Sequence, residues 1–222
     1  VEKKMNIDVL ITSCARPDVL KKTVQSFQKM IVTEHELRYV LVEDKVDDVK
    51  RQEEGRKWVE KNKGLFDDIV FHEKKAGKGY WWQEIIKICN TKYHIHLEDD
   101  NEFITKVNID PVIKMMQNQE NIIEVIFSRG KPDKRTKPKI LKIDGIKLTE
   151  MQSMSIASGI YNTPMCRKIL SVVGWETMVH EAGNLTPTTI KLGYRKFILG
   201  HGKKHYEHIG AKLGYNKGKW KK

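Results

Sequence analysis

Apolar residues follow two rhythms along this chain. Short runs rich in β-branched residues recur at 7–12 (IDVLIT), 39–42 (YVLV), 69–72 and 93–97, and they read as strands. Between them the spacing turns helical. Leu20, Val24 and Phe27 line one face of 18–30, and Pro17 sits where a first turn needs no amide donor. A highly charged helix is predicted over 47–63, and a helix opening on aromatic residues over 80–89. Strand–helix alternation with short connections predicts an α/β fold with a parallel, doubly wound sheet. Ligands of such sheets bind at the carboxyl ends of the strands. The second half is less regular, with helices at 111–117, 163–173 and 186–192 and strands at 122–128 and 195–199. A basic loop carrying Pro and Gly spans 130–138, and the Gly- and Lys-rich tail after Tyr206 is expected to be irregular. There is no internal repeat.

With 222 residues, the pattern is that of one domain in two joined halves, about 1–105 and 106–222. No window approaches the ~18 apolar residues of a membrane span, and the first residues lack the apolar stretch of a signal peptide. Cys14, Cys89 and Cys166 form no CxxC pair, so neither a disulfide framework nor a cysteine zinc site is indicated. The expectation is a soluble, cytoplasmic protein.

Charge changes the picture more. The net charge is +12, and residues 191–222 hold ten basic residues against the single acid Glu207. Residues 128–147 add eight basic residues against Asp133 and Asp144, so the rest of the chain is near −3. Clustered positive charge attracts polyanions. A solvated basic surface is the plainer reading of any one run; two clusters and a Lys-Trp-Lys-Lys ending favour a polyanionic partner or substrate.

The chemistry concentrates at Glu98-Asp99-Asp100-Asn101-Glu102, directly after an apolar strand. Adjacent carboxylates repel unless a cation or a web of donors neutralises them. At the edge of a parallel sheet this points to Mn²⁺ or Mg²⁺ bound through oxygen, with substrate phosphates completing the shell. An Asp-rich turn or helix cap is the alternative. His94, His96 and Glu98 share one strand face and could also hold zinc or iron, but a strand interior lies too deep for an open catalytic position, so both histidines are expected to be packed and hydrogen-bonded.

The order Thr12…Arg16-Pro17-Asp18, then Glu43-Asp44, then Glu98-Asp99-Asp100 resembles the nucleotide-sugar half of GT-A glycosyltransferases, above all the inverting family-2 type with a DxD-like motif. The resemblance implies a Rossmann-like, mostly parallel central sheet flanked by helices, with a less regular C-terminal acceptor half. It also implies that Asp100 ligates the metal, with Asp99 and Glu98 near the ribose and water shell. Thr12 and Arg16 would line the nucleotide site, and Glu43 and Asp44 would face the base. Ala15 stands where the family has Asn, and Lys45-Val46 where it has a small-residue turn. Gly77-Lys78-Gly79 opens a helix beside the metal strand, where Lys78 suits phosphate. Trp81 and Trp82 read as packing residues. In the segment from Trp175 to Asn184, Glu181 matches the family's base and Glu176 is its reserve, although Ala182 replaces an expected Asp. Among His201, His205 and His208, His208 best matches a late metal ligand, with Lys203, Lys204 and Lys212 near a leaving diphosphate.

These implications assemble into a metal-dependent transferase using a UDP-sugar, with inversion, Glu181 deprotonating the acceptor, and the 128–138 loop and tail closing over the site. The basic tail favours a nucleic-acid acceptor, a hydroxymethylated base in DNA being coherent once flipped outward. A cell-surface glycan or lipid-linked sugar, with an anionic membrane surface attracting the same charge, is the alternative. A non-catalytic basic nucleic-acid-binding module is the rival of another class, and a nucleotidyltransferase ranks third.

Overall fold

Strand β1 (Asn6–Ser13) is buried at seven of its eight positions, so both of its faces must be covered. The structure, a computed structural model, describes residues 4–73, 78–130, 139–173 and 185–210, and of Lys78, Gly79 and Trp81 the backbone alone. After β1 come α1 (Pro17–Met30), β2 (Ile31–Val32), β3 (Glu36–Glu43), α2 (Val49–Lys61), β4 (Asp68–Phe71), α3 (Lys78–Ile88) and β5 (Tyr93–Glu98). The chain continues through β6 (Asn101–Phe103), β7 (Val107–Asn108), α4 (Asp110–Asn118), β8 (Ile122–Ile126), β9 (Ile140–Ile143), β10 (Ile146–Glu150) and β11 (Gly159–Asn162). It ends in α5 (Thr163–Val173), α6 (Leu185–Lys191), β12 (Arg195–Leu199) and β13 (Tyr206–His208).

Nine strands form one sheet in the order β4-β3-β1-β5-β11-β8-β12-β10-β9. Seven of them run in one direction, and β11 and β10 run against it. Both halves of the chain therefore build a single, mostly parallel sheet. One face buries Val9, Ile11, Leu41 and Leu97 under Leu20, Val24 and Phe27 of α1, Val59 of α2 and Met115 and Met116 of α4. The other buries Leu10, Val40 and Val42 under Trp82, Ile85 and Ile86 of α3 and Cys166, Ile169 and Leu170 of α5. The strand order reverses between β1 and β5, and their carboxyl ends open the crevice where α/β sheets bind ligands.

The elements read from periodicity are present in the described residues. The tail differs: Tyr206–His208 is a strand rather than irregular chain, because it pairs antiparallel with β6. Also beyond the sequence reading are β11, wedged antiparallel between β5 and β8, and the β9–β10 hairpin, turned by Asp144 at φ 48° and Gly145 at φ 82°. The basic stretch 131–138, Glu176, Glu181 and the chain after residue 210, with Lys212, lie outside the described residues.

A polar row crosses the α3/α5 face. His94, Tyr161, Glu124 and Lys196 stand in register on four neighbouring strands, all buried. His94 stacks on Tyr161 with ring centroids 5.3 Å apart, and its Nδ1 lies 2.9 Å from Thr163 Oγ1. The Tyr161 hydroxyl donates to Ser155 O (3.1 Å), Ser155 N–H donates to Glu124 Oε1 (2.9 Å), and Lys196 Nζ donates to Gln152 O (3.0 Å). His94 and His96 are thus packed, with His96 Nε2 3.1 Å from Thr12 Oγ1. Burial pushes His94 down to about 3, so its imidazole is neutral.

Burial pushes the Glu124 carboxyl up to about 8 from 4.5, against the pull of Ser155 N–H and the Lys196 ammonium. The folded state then keeps a proton that the unfolded chain releases between those values. Stability from this group is greatest below the unfolded value and is lost as pH rises through about 8. Glu124→Gln, which keeps an acceptor for Ser155, is expected to flatten the decline in urea-unfolding stability between pH 5 and pH 8. An unchanged slope would contradict this account. Glu43, pushed up to about 7 mainly by burial, leaves a residual slope of the same sign.

Candidate functional site

Two loops meet at the crevice. The first follows β1, where Ser13 runs into Cys14, Ala15 and Arg16 before Pro17 starts α1. The second follows β5 as the tight turn Asp99-Asp100 into β6. Backbone bonds tie them together: Asp99 N–H donates to Thr12 O (3.0 Å), and Thr23 Oγ1 of α1 donates to Asp99 O (2.7 Å).

Arg16 spans the crevice. Its Nε donates to Asp99 Oδ2 (3.0 Å), Nη2 to Asp99 Oδ1, and Nη1 to Asp100 Oδ2 (3.1 Å). Cys14 N–H adds a donor to Asp99 Oδ2 (3.3 Å). Burial pushes the Asp99 carboxyl above the ordinary carboxylate range, and the Arg16 guanidinium pulls against it. The neutraliser that the acid run demanded is, in this structure, a guanidinium of the protein itself. Burial, reinforced by Asp99, pushes the Cys14 thiol up to about 12, so it is not a thiolate nucleophile.

The tail returns to the same point. Pairing of β13 with β6 sets His208 opposite Asn101, and Ile209 N–H donates to Asp100 O (2.8 Å). His208 Nε2 comes to 3.2 Å from Asp100 Oδ2 with the imidazole about a third exposed (31%). Gly210 then passes so close that a Cβ there would strike Asp100 Oδ2 and lie 3.0 Å from Arg16 Nη1. Asp100 and His208, separated by 108 residues in the sequence, are thus neighbours at this edge.

Glu98 faces the other side of the edge. Its Oε2 accepts from Asn101 Nδ2 (3.3 Å) and Arg129 Nη2 (3.4 Å), while Ser158 Oγ accepts from Glu98 N–H (3.0 Å). Arg129 Nε donates to the Tyr206 hydroxyl (3.0 Å), which leaves a positioned, half-exposed cation at the rim. His205 is a structural residue: Ser128 N–H donates to its Nδ1 (3.0 Å), and burial and Lys203 push it down to about 4.

Thr12 and Glu43 point inward. Thr12 Oγ1 bonds His96 and Leu97 O, and Glu43 Oε1 accepts from Ala15 N–H. Asp44, next along, is buried and its N–H donates to Ser13 O (2.8 Å). Ala15 adopts φ 52°, a left-handed conformation that costs a residue with a Cβ ~1–2 kcal/mol. Arg51 of α2 holds it there, with Nε donating to Ala15 O (3.0 Å) and Nη2 to Cys14 O. Gly55 makes room, since a Cβ on it would come to 3.0 Å from both Ala15 Cα and Cβ. Arg51, Gly55, Ser158 and Arg129 were missed because each is a single residue with no local motif. Lys78 begins α3 near this edge, but its side chain and the residues Glu176 and Glu181 lie outside the described residues.

A divalent ion can be tested against these side chains. Among the described residues no set of three or more His, Cys, Asp and Glu side chains is arranged to hold a metal. Asp100 Oδ2 and His208 Nε2 nonetheless converge as one oxygen and one imidazole nitrogen. That pair fits an ion whose remaining ligands are phosphate oxygens and water, as with Mn²⁺ or Mg²⁺.

Solved structures share the architecture. The mannosyltransferase PcManGT from Pyrobaculum calidifontis, in complex with GDP-Man and Mn²⁺, aligns with a TM-score of 0.61 at 13% identity, over 94% of this chain and 58% of that one. S. aureus TarS 1–349 in complex with UDP aligns at 0.57 and 15%, over 92% and 60%. GalNAc-T7 with UDP, GalNAc and Mn²⁺ aligns at 0.60 and 11%, over 87% and 42%. At such identities the likeness establishes the fold, which is that of the GT-A glycosyltransferases. The chain spans 36% to 61% of the length of the solved chains it matches. No protein-family model matches the sequence. No curated protein matches it either. Among the described residues no helix is long and apolar enough to cross a membrane.

Arg51→Met removes both bonds to the Ala15 loop while leaving Arg16, Asp99 and Asp100 in place. The expected loss is about 1–3 kcal/mol of stability, read from chemical unfolding. A variant as stable as the parent would show that the loop holds its left-handed turn without Arg51.

Proposed function

We propose that this chain is a metal-dependent glycosyltransferase that binds a nucleotide-sugar at the carboxyl edge of β1, β3 and β5. The observation that carries this reading is the convergence of Arg16, Asp99, Asp100 and His208 at the switch point of a GT-A sheet. UDP-sugars are the first donors to test, since TarS 1–349 and GalNAc-T7 were both solved with UDP.

The roles follow from position. Asp100 and His208 would hold Mn²⁺ or Mg²⁺, which supplies charge stabilisation to a departing diphosphate. Asp99 fixes Arg16, whose guanidinium faces the same crevice. Thr12 and Glu43 act through the loop that presents Arg16, and Asp44 lies one residue further along the crevice wall. Glu98 orients Arg129 at the rim, and Lys78 stands at the start of the helix beside the site, where phosphate is favoured. Inverting transfer needs a carboxylate to take the acceptor proton, and Glu181 is the residue assigned to it by resemblance. The net charge of +12 favours a polyanionic acceptor, hydroxymethylated DNA first and a glycolipid at an anionic membrane surface second.

The test is the melting temperature with Mn²⁺ alone, a UDP-sugar alone, and both. A site filled to about 100 times its Kd adds roughly 2.7 kcal/mol, a rise of about 5–10 °C for a chain of this size. The rise is expected to need both ligands and to vanish in Asp100→Asn. Stabilisation by bare DNA, with none from any nucleotide-sugar, would overturn the enzyme reading and leave a nucleic-acid-binding module.

A further inference from the structure

Asp100 Oδ2 is the most contested atom of the site. Arg16 Nη1 lies 3.1 Å from it and His208 Nε2 3.2 Å from it, and Gly210 packs against Asp100 and Arg16. The Asp99 carboxylate, by contrast, takes Arg16 through two other nitrogens, Nε on Oδ2 and Nη2 on Oδ1, a side-on fork that holds the guanidinium without any help from Asp100. Arg16 is therefore bound at two strengths: bidentate to Asp99 and by a single bond to Asp100. The side chains of Arg16, Asp99 and Asp100 are 11%, 3% and 5% exposed, so both contacts are largely withdrawn from water, and the Asp100 contact borders His208, which is 31% exposed.

We propose that Arg16 is the resident counter-cation of this acid pair and that its Nη1 bond to Asp100 is exchanged when a divalent ion is held there. This rests on the metal-binding role given above to Asp100 and His208. A guanidinium and a divalent cation cannot share one carboxylate oxygen without strong repulsion. Arg16 Nη1 must leave Asp100 Oδ2, yet the Asp99 fork keeps the group within the crevice. The released N–H then has an anion to meet, the diphosphate of the donor. Arg16 thus makes the ion bind weakly on its own and more tightly when a diphosphate accepts the displaced donor, which adds a coupling through one side chain to that of direct phosphate ligation.

The consequence is read without turnover. Mn²⁺ binding to the purified chain is measured by the loss of the free-ion electron paramagnetic resonance signal, with and without UDP. In the parent, UDP is expected to tighten Mn²⁺. Arg16→Met is expected to tighten Mn²⁺ alone by roughly tenfold or more and to shrink the further tightening by UDP to what direct phosphate ligation supplies, whereas Arg16→Lys, which keeps the charge, stays weak. Because Arg16→Met leaves the Asp99 charge buried and unpaired, the pair Arg16→Met/Asp99→Asn is compared with Asp99→Asn to keep the test informative if the single variant fails to fold. Mn²⁺ affinity that is unchanged or weaker in the Met variants, but abolished by Asp100→Asn, would overturn the exchange while leaving the metal site intact. No Mn²⁺ binding by any form, with or without UDP, would overturn both.

Discussion

Two neighbouring carboxylates at a sheet edge repel each other, and in this protein one guanidinium between them determines much of the surrounding geometry. Arg16 follows β1 while Asp99 and Asp100 follow β5, so the bond network ties together the two loops that flank the crevice. For Arg16 to turn back toward β5, the chain must reverse at Ala15, whose φ of 52° disfavours any residue with a Cβ. That conformation is held by groups from two other elements: Glu43 at the end of β3 accepts from Ala15 N–H, and Arg51 of α2 donates to Ala15 O. The close approach of α2 explains why it carries Gly55 in its interior, a choice worth about 1 kcal/mol against Ala in an isolated helix. A larger residue there would meet the Ala15 backbone.

The second half of the chain reaches this edge by antiparallel additions. Insertion of β11 beside β5 brings Ser158 under the Glu98 amide, and close packing on β8 leaves no room for a Cβ at Gly159, which would lie 2.6 Å from Ile126 Cα. The two-stranded pairing of β6 with β13 returns the tail to Asp100. Arg129, bridged to Lys204 and stacked on Tyr206, links the end of β8 to the same strap. These contacts join residues from about 30 to more than 100 positions apart.

That distance explains what could be read in advance. The parallel core was legible because β1, β3 and β5 are apolar runs with no competing helical phase, and α1 carries a clean apolar face after Pro17. Short strands such as β6 and β13 have three residues each and exist only through each other, so neither the Asn101–Phe103 nor the Tyr206–His208 stretch advertises itself. The β9–β10 hairpin does carry a signal, Asp144-Gly145 between apolar runs, within a segment dominated by basic residues. At the candidate site, the acid run and the Arg16-Pro17 motif meet at one sheet edge, as their places after apolar strands imply. The acids need a cation or a web of donors, and a sequence does not show that Arg16 will fold back to supply both.

The acid pair also divides its labour for reasons of geometry. Asp99 is withdrawn from water, and both of its oxygens are engaged, by Arg16 and by the Cys14 amide. An oxygen so committed has little capacity for an incoming ligand without dismantling the β1 loop. Asp100, also withdrawn from water, meets Arg16 through a single nitrogen and shares the same oxygen with an imidazole about a third exposed. Removing the Asp99 carboxylate therefore strikes first at folding and at the placement of Arg16, while removing that of Asp100 strikes at whatever the crevice binds. Adjacent acids of like chemistry come to differ because one lies within the fork of a guanidinium and the other at its edge.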